Sequence, residues 1–229
     1  MLKENYMTQS SPQGYLSLPP SKTGPGTLVF HAWWGLNGTI KTFCRRLADS
    51  GFVAFAPDLY HGKVAETIVN AQTLADTLFE HHIQTKAEIS AAARFLCDHP
   101  MVVGKGITVI GFSLGAFYSL DIAASEPEHV HAVVIFYGTA DLDHSTSNAT
   151  YLGHFAEDDP YEPQTNVNSL EDDLTRAGRP VTFFHYPGTR HWFFEPHRKE
   201  AYNQAAADLA WDRTLSFLRR TNHAKNEPR

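Results

Sequence analysis

Cysteine is almost missing from this chain: 229 residues hold two, Cys44 and Cys97. Each falls in a helix-like stretch with no partner at metal-ligand spacing, so neither a disulfide framework nor a zinc or other metal site is indicated, and both read as small buried hydrophobes. No run of residues stays apolar long enough to cross a bilayer, and the opening MLKENYMTQSSPQGY lacks a signal-peptide core. The expectation is a cytoplasmic protein with no membrane partner. The formal net charge of −6 contains no long basic run, which argues against nucleic acid as a partner. Internal repeats and low-complexity linkers are absent too, so nothing marks a domain boundary.

What is present is the balance of a soluble globular enzyme, with 42% hydrophobic and 19% charged residues. A chain of this length suits one α/β domain and is short for two. Runs rich in apolar and β-forming residues at Thr27 to His31, Phe52 to Ala56, Ile107 to Ile110, Ala132 to Tyr137, Tyr151 to Phe155 and Val181 to Tyr186 read as buried strands. An edge strand is expected near Tyr15 to Leu18, where Pro19-Pro20 stops continuation. Helical patterns alternate with the strands at Thr39 to Ser50, Ala65 to Phe79, Thr85 to Cys97, Leu114 to Ser125, Val167 to Ala177 and Ala201 to Arg219. Such alternation predicts one domain over residues 1–229, a mostly parallel sheet flanked by helices without a large lid, with residues 1–12 and 221–229 as flexible ends. A monomer and a homodimer remain equally open.

The stretch Ile107 to Ala116 runs a strand pattern straight into Gly111-Phe-Ser-Leu-Gly115 and then a helix pattern. This is the setting of a nucleophile elbow, a turn so tight that the two glycines avoid collisions and Ser113 is pushed out above the sheet. A serine hydroxyl attacks poorly near neutral pH unless a base takes its proton, and in this fold the order along the chain is Ser, acid, His. Thirteen histidines are present, so position decides. His191 follows the last strand pattern in a loop able to reach back over the sheet edge. His185 lies within that strand, and His197 is expected to begin the final helix. The acid should come from Ala156-Glu-Asp-Asp-Pro-Tyr-Glu-Pro163. Asp159 is favoured because the prolines at 160 and 163 fix the backbone beyond it; Asp158 and, in the preceding loop, Asp141 are the competitors. Backbone N–H groups of Leu114, opening a helix, and of Trp33, in the loop after the strand ending near His31, are the candidate oxyanion donors.

Four segments agree in order with a known family: His31-Ala-Trp-Trp-Gly-Leu-Asn37, Ala54-Phe-Ala-Pro-Asp-Leu-Tyr60, Gly111-Phe-Ser-Leu-Gly-Ala116 and Gly153-His-Phe-Ala-Glu-Asp-Asp-Pro160. From about Tyr15 to Arg219 the chain resembles the dienelactone hydrolase family. The resemblance implies a single α/β-hydrolase domain needing no metal or organic cofactor, and through the D-P-x-x-P run it supports Asp159. Two departures are coherent with each other. The family's lactone enzyme uses a cysteine where this chain has Ser113, and a glutamate that helps activate the thiol where this chain has Ala32. The family also binds a substrate carboxylate with arginines, one shortly after the histidine; here His191-Trp-Phe-Phe-Glu195 offers an acid that is expected to repel an anionic ligand.

The resulting expectation is a serine-dependent hydrolase of small neutral esters or lactones, working through an acyl-enzyme. The alternatives are a dienelactone-type lactonase (a carboxymethylenebutenolidase) and a hydrolase-fold binding protein without turnover. Trp34, Tyr137, Trp192 and Tyr60 are the expected substrate contacts, with Trp33 near them; His61 reads as a solvent-facing loop residue.

Overall fold

In the computed structural model, which describes residues 11–223, the strands β2 (Gly26–Phe30), β3 (Val53–Pro57), β4 (Ile107–Phe112) and β5 (Val130–Phe136) are buried at every position. With β1 (Gly14–Ser17), β6 (Thr150–Asp158) and β7 (Val181–Arg190) they form one sheet in the order β1-β3-β2-β4-β5-β6-β7. All pairings are parallel except that of β1, which runs antiparallel along β3. Interior parallel strands must be covered on both faces, and α1 (Gly38–Asp49), α2 (Ile68–Glu80), α3 (His82–Cys97), α4 (Leu114–Ser125), α5 (Gln164–Arg176) and α6 (Gln204–His223) do so, while β7, at the sheet edge, is mostly half-buried or exposed.

The period of two along each strand sends neighbours to opposite cores. Leu28 and Phe30 enter the core built with α3, α4 and α5, whereas Val29 enters the one built with α1 and α6. In the latter, Phe43 of α1 meets Phe112, Phe194 and Trp211 edge-on at 5.1, 5.6 and 5.4 Å. Helix α1 starts where Asn37 accepts the N–H groups of Thr39 and Ile40 through its side chain. Among the described residues no helix is long and apolar enough to cross a membrane.

Several boundaries differ from the sequence pattern. The last helix starts at Gln204, not near Ala201, because residues 191–202 fold into successive turns; His197 lies among those turns and not at a helix start. The expected flexible ends fall largely outside the described residues, but residues 221–223 continue α6.

One buried group makes stability depend on pH. His154 sits wholly inside β6, its Nδ1 on the Tyr186 hydroxyl (2.8 Å) and its Nε2 on the Thr214 hydroxyl (2.9 Å). Burial, with a smaller push from Arg213, lowers its pKa to about 3. The unfolded chain takes this proton near pH ~6.5 and the folded one does not, so the contribution is intact above that pH. It is lost toward pH 3, at about 1.4 kcal/mol per pH unit. The expected result is that ring 15N shifts of His154 stay those of a neutral imidazole from pH 8 down to pH 5; titration near pH 6 in the folded protein would contradict it.

Candidate active site

The order of strands reverses between β2 and β4: the chain leaves β2 toward β3 on one side and leaves β4 toward β5 on the other. A crevice opens outside the carboxyl ends of strands at such a point. Five strands deliver residues there. Trp33 follows β2, Ser113 is the residue after β4, Tyr137 after β5, Asp159 after β6 and His191 after β7.

The turn at Ser113 has the strain the motif anticipates. Its φ of 51° and ψ of −113° lie in a region that side chains rarely occupy, a strain of about 1–3 kcal/mol that the surrounding fold must hold. Its N–H donates to the carbonyl of Phe136 (2.9 Å), tying the turn to β5. The glycines are required by close approach. A Cβ on Gly111 would lie 2.1 Å from the carbonyl oxygen of Gly115, and one on Gly115 would lie 2.4 Å from that of Phe30.

Ser113 Oγ is 2.8 Å from His191 Nε2, and His191 Nδ1 is 2.7 Å from Asp159 Oδ2. The side chains of His191 and Asp159 are 4% and 5% exposed, so water competes little for these contacts. Asp159 is held in turn by the N–H groups of Tyr161 and Glu162, which donate to Oδ1 at 2.9 and 3.0 Å. With Nδ1–H directed at a carboxylate, Nε2 is left to accept the serine proton. Asp158 points elsewhere: 74% exposed, it lies 3.4 Å from Arg190 Nε. Asp141 is exposed, as is His185.

Beside this row is a cavity of about 270 Å³. Trp33 and Leu114 line it, and so do Tyr137 and Trp192, although the last two are almost completely buried. Trp34 and Tyr60, both expected substrate contacts, are not among the described residues that line it. Trp34 is 1% exposed and packs behind Trp192, ring centres 5.1 Å apart; Tyr60 is buried against His31. Six further lining residues were not singled out from the sequence: Phe79 from α2, Phe117 from α4, Gly138, Thr139, Tyr161 and Glu162. Tyr161 lies over the rings of His191 (5.1 Å) and Trp192 (4.8 Å), a role its place two residues after Asp159 could have signalled. Glu162 accepts from the N–H and hydroxyl of Thr139, both at 2.8 Å, and so clips the loop after β5 to the loop after β6. No Lys or Arg is among the described residues lining this cavity.

Glu195 also departs from expectation. It is 0% exposed and accepts the Tyr137 hydroxyl at 2.9 Å, so it lies behind the cavity wall and cannot face a ligand there.

Comparison with known proteins adds to this geometry. The sequence profile of the dienelactone hydrolase family matches residues 13–222. The chain belongs to the dienelactone hydrolase family. Members of this family are α/β hydrolases, and the protein is a hydrolase of that fold. It is 32% identical over 214 residues to Protein usf of Aquifex pyrophilus, covering 90% of this chain and 92% of that one. It is 31% identical over 214 residues, with the same coverage, to an Aquifex aeolicus protein provisionally named a carboxymethylenebutenolidase. A dienelactone hydrolase-like promiscuous phosphotriesterase, P91, from metagenomic libraries superposes with a TM-score of 0.83 at 23% identity, covering 91% of this chain and 92% of the other. At that identity the likeness shows the fold alone.

Proposed function

We propose that this dienelactone hydrolase family member is a serine esterase that cleaves small neutral carboxylic esters and lactones. The observation that carries the reading is the hydrogen-bonded row from Ser113 through His191 to Asp159, with Ser113 and His191 lining a cavity. In this reading Ser113 Oγ attacks the ester carbonyl carbon as His191 Nε2 takes its proton. The oxyanion that forms is met by the N–H groups of Leu114 and Trp33, donors worth about 3 kcal/mol each in such sites. The C–O bond to the alcohol then breaks, and His191 returns the proton to the departing oxygen. Water, deprotonated by the same nitrogen, attacks the acyl-enzyme; the acid leaves and Ser113 regains its proton.

The substrate class follows from the walls. A cavity of about 270 Å³ is below the ~300–1,000 Å³ of sites for drug-sized ligands, so small substrates fit best. Among the described residues that line it are the rings of Trp33, Phe79, Phe117, Tyr137, Tyr161 and Trp192, one carboxylate, Glu162, and no Lys or Arg to hold an anion. The lactonase reading draws on the name of the Aquifex aeolicus relative, but that substrate class carries a carboxylate, and meeting Glu162 without a cation is unfavourable. In a panel of p-nitrophenyl acetate, p-nitrophenyl butyrate and dienelactone, kcat/KM is expected to be at least about tenfold higher for the neutral esters. Preference for dienelactone would overturn this substrate assignment.

A further inference from the structure

Glu195 has no part in the ester chemistry above, yet it is a fully buried carboxyl two side chains away from the proposed base. It lies in the same run of turns as His191, where the N–H of Phe193 donates to the carbonyl of Arg190 (3.1 Å) and that of Glu195 to the carbonyl of Trp192 (2.9 Å). Its Oε1 accepts the hydroxyl of Tyr137, which belongs to a different strand end. Tyr137 is therefore fixed at both ends, because its own N–H donates to the carbonyl of His154 at 2.8 Å. Its backbone is strained, with φ at 39°, and its ring lies 4.9 Å from the ring of His191.

We propose that Glu195 is a positioning residue for the base: by accepting the Tyr137 hydroxyl it locks the ring against which His191 lies, and so holds Nε2 within reach of Ser113. The assignment rests on the serine esterase reading.

The surroundings of Glu195 also define its working form. From its own segment it is faced by His197, whose Nε2 is 3.7 Å from Oε2, and by Arg198; from the end of β5 it is faced by Tyr137, with His191 and Asp159 beyond. The Arg198 guanidinium lies over Trp34 at 4.1 Å and Trp192 at 4.9 Å, is paired with Glu200, and exerts a Coulomb pull on Glu195 without a hydrogen bond to it. The ring nitrogens of His197 are engaged by Thr39 (2.9 Å) and Asn37 (3.5 Å). Oε2 has no hydrogen-bond partner among the described residues. A carboxyl so stripped of water keeps its proton: burial pushes its pKa up to about 8, against the pull of the Tyr137 hydrogen bond and of Arg198. Ionisation above that pH puts a charge whose Oε2 has no hydrogen-bond partner among the described residues behind the wall that supports His191, and the wall must shift or admit water.

The test is kcat and KM for p-nitrophenyl butyrate from pH 5 to 9.5. Wild type is expected to lose kcat above about pH 8. Glu195→Gln keeps the acceptor and cannot ionise, so it is expected to rescue kcat at pH 7 and to abolish the alkaline loss. Tyr137→Phe and Glu195→Leu are expected to lower kcat about tenfold with KM within about twofold. Wild-type kcat in Tyr137→Phe, or the same alkaline loss in Glu195→Gln as in wild type, would overturn the proposal. If Glu195→Leu does not fold, the wild-type and Glu195→Gln profiles still decide. Undiminished turnover in Ser113→Ala would instead sink the esterase reading, whereas unaffected strut variants in an enzyme that needs Ser113 would sink only the strut.

Discussion

Ser113→Ala is expected to reduce kcat for p-nitrophenyl acetate by about 10⁵-fold or more, with KM changed far less. The hydroxyl is the atom that would form the bond, and its 2.8 Å contact with His191 Nε2 has no substitute nearby on the strained turn. Residual turnover would come from the oxyanion donors and binding alone, which is why loss of a nucleophile leaves a small rate and not zero. A fluorophosphonate probe gives a second readout: it is expected to label wild type and to leave Ser113→Ala unlabelled. Turnover unchanged by the substitution, or labelling that persists, would remove Ser113 from the chemistry. A protein that binds small aromatic ligands but neither turns over esters nor takes the label would be a binding module on a hydrolase fold.

Asp159→Asn is expected to lower kcat near neutral pH by about 10⁴-fold while leaving the fold intact. The carboxylate accepts from His191 Nδ1 at 2.7 Å, and both of its other neighbours, the N–H groups of Tyr161 and Glu162, are donors as well. An amide there can keep the two backbone donors only by turning its NH₂ toward the imidazole. That NH₂ forces the other tautomer, in which Nε2 carries the proton and cannot accept one from Ser113. Asp158→Asn serves as the matched control. Its side chain is 74% exposed and meets Arg190 at 3.4 Å, a surface pair of small worth, so kcat is expected to stay within about twofold of wild type. Equal losses in the two variants, or the larger loss in Asp158→Asn, would move the acid to the neighbouring position.

The strands and most helices were legible because burial on two faces leaves a plain record, an apolar run bounded by turn residues, as in Ile107 to Ile110 and Ala132 to Tyr137. The elbow was legible because Gly111 and Gly115 answer a local demand for room. Aromatic residues carried no such record. Trp34 and Tyr60 sit beside motif segments and read as cavity walls, yet both are packed into the core, while Phe79 and Phe117 reach the cavity from helices whose own periodicity says nothing of it. A ring satisfies a core and a pocket equally well, so local pattern cannot separate the two.

Glu195 shows the same division. Its charge suggested a group facing the ligand, because an isolated glutamate is almost never fully buried unless a partner accompanies it. The partner is Tyr137, 58 residues away in the chain, brought to 2.9 Å only when β5 and β7 take their places in the sheet. By itself the amino-acid order determined the strand and helix periods, the tight turn at Ser113 and the family to which the chain belongs, since each is written in short contiguous segments. The strand order, the identity of the cavity walls and the buried Tyr137–Glu195 contact were decided only by tertiary structure. Each of these depends on which distant strand ends lie side by side, and strand neighbours are set by the burial of whole faces, not by any local run of residues.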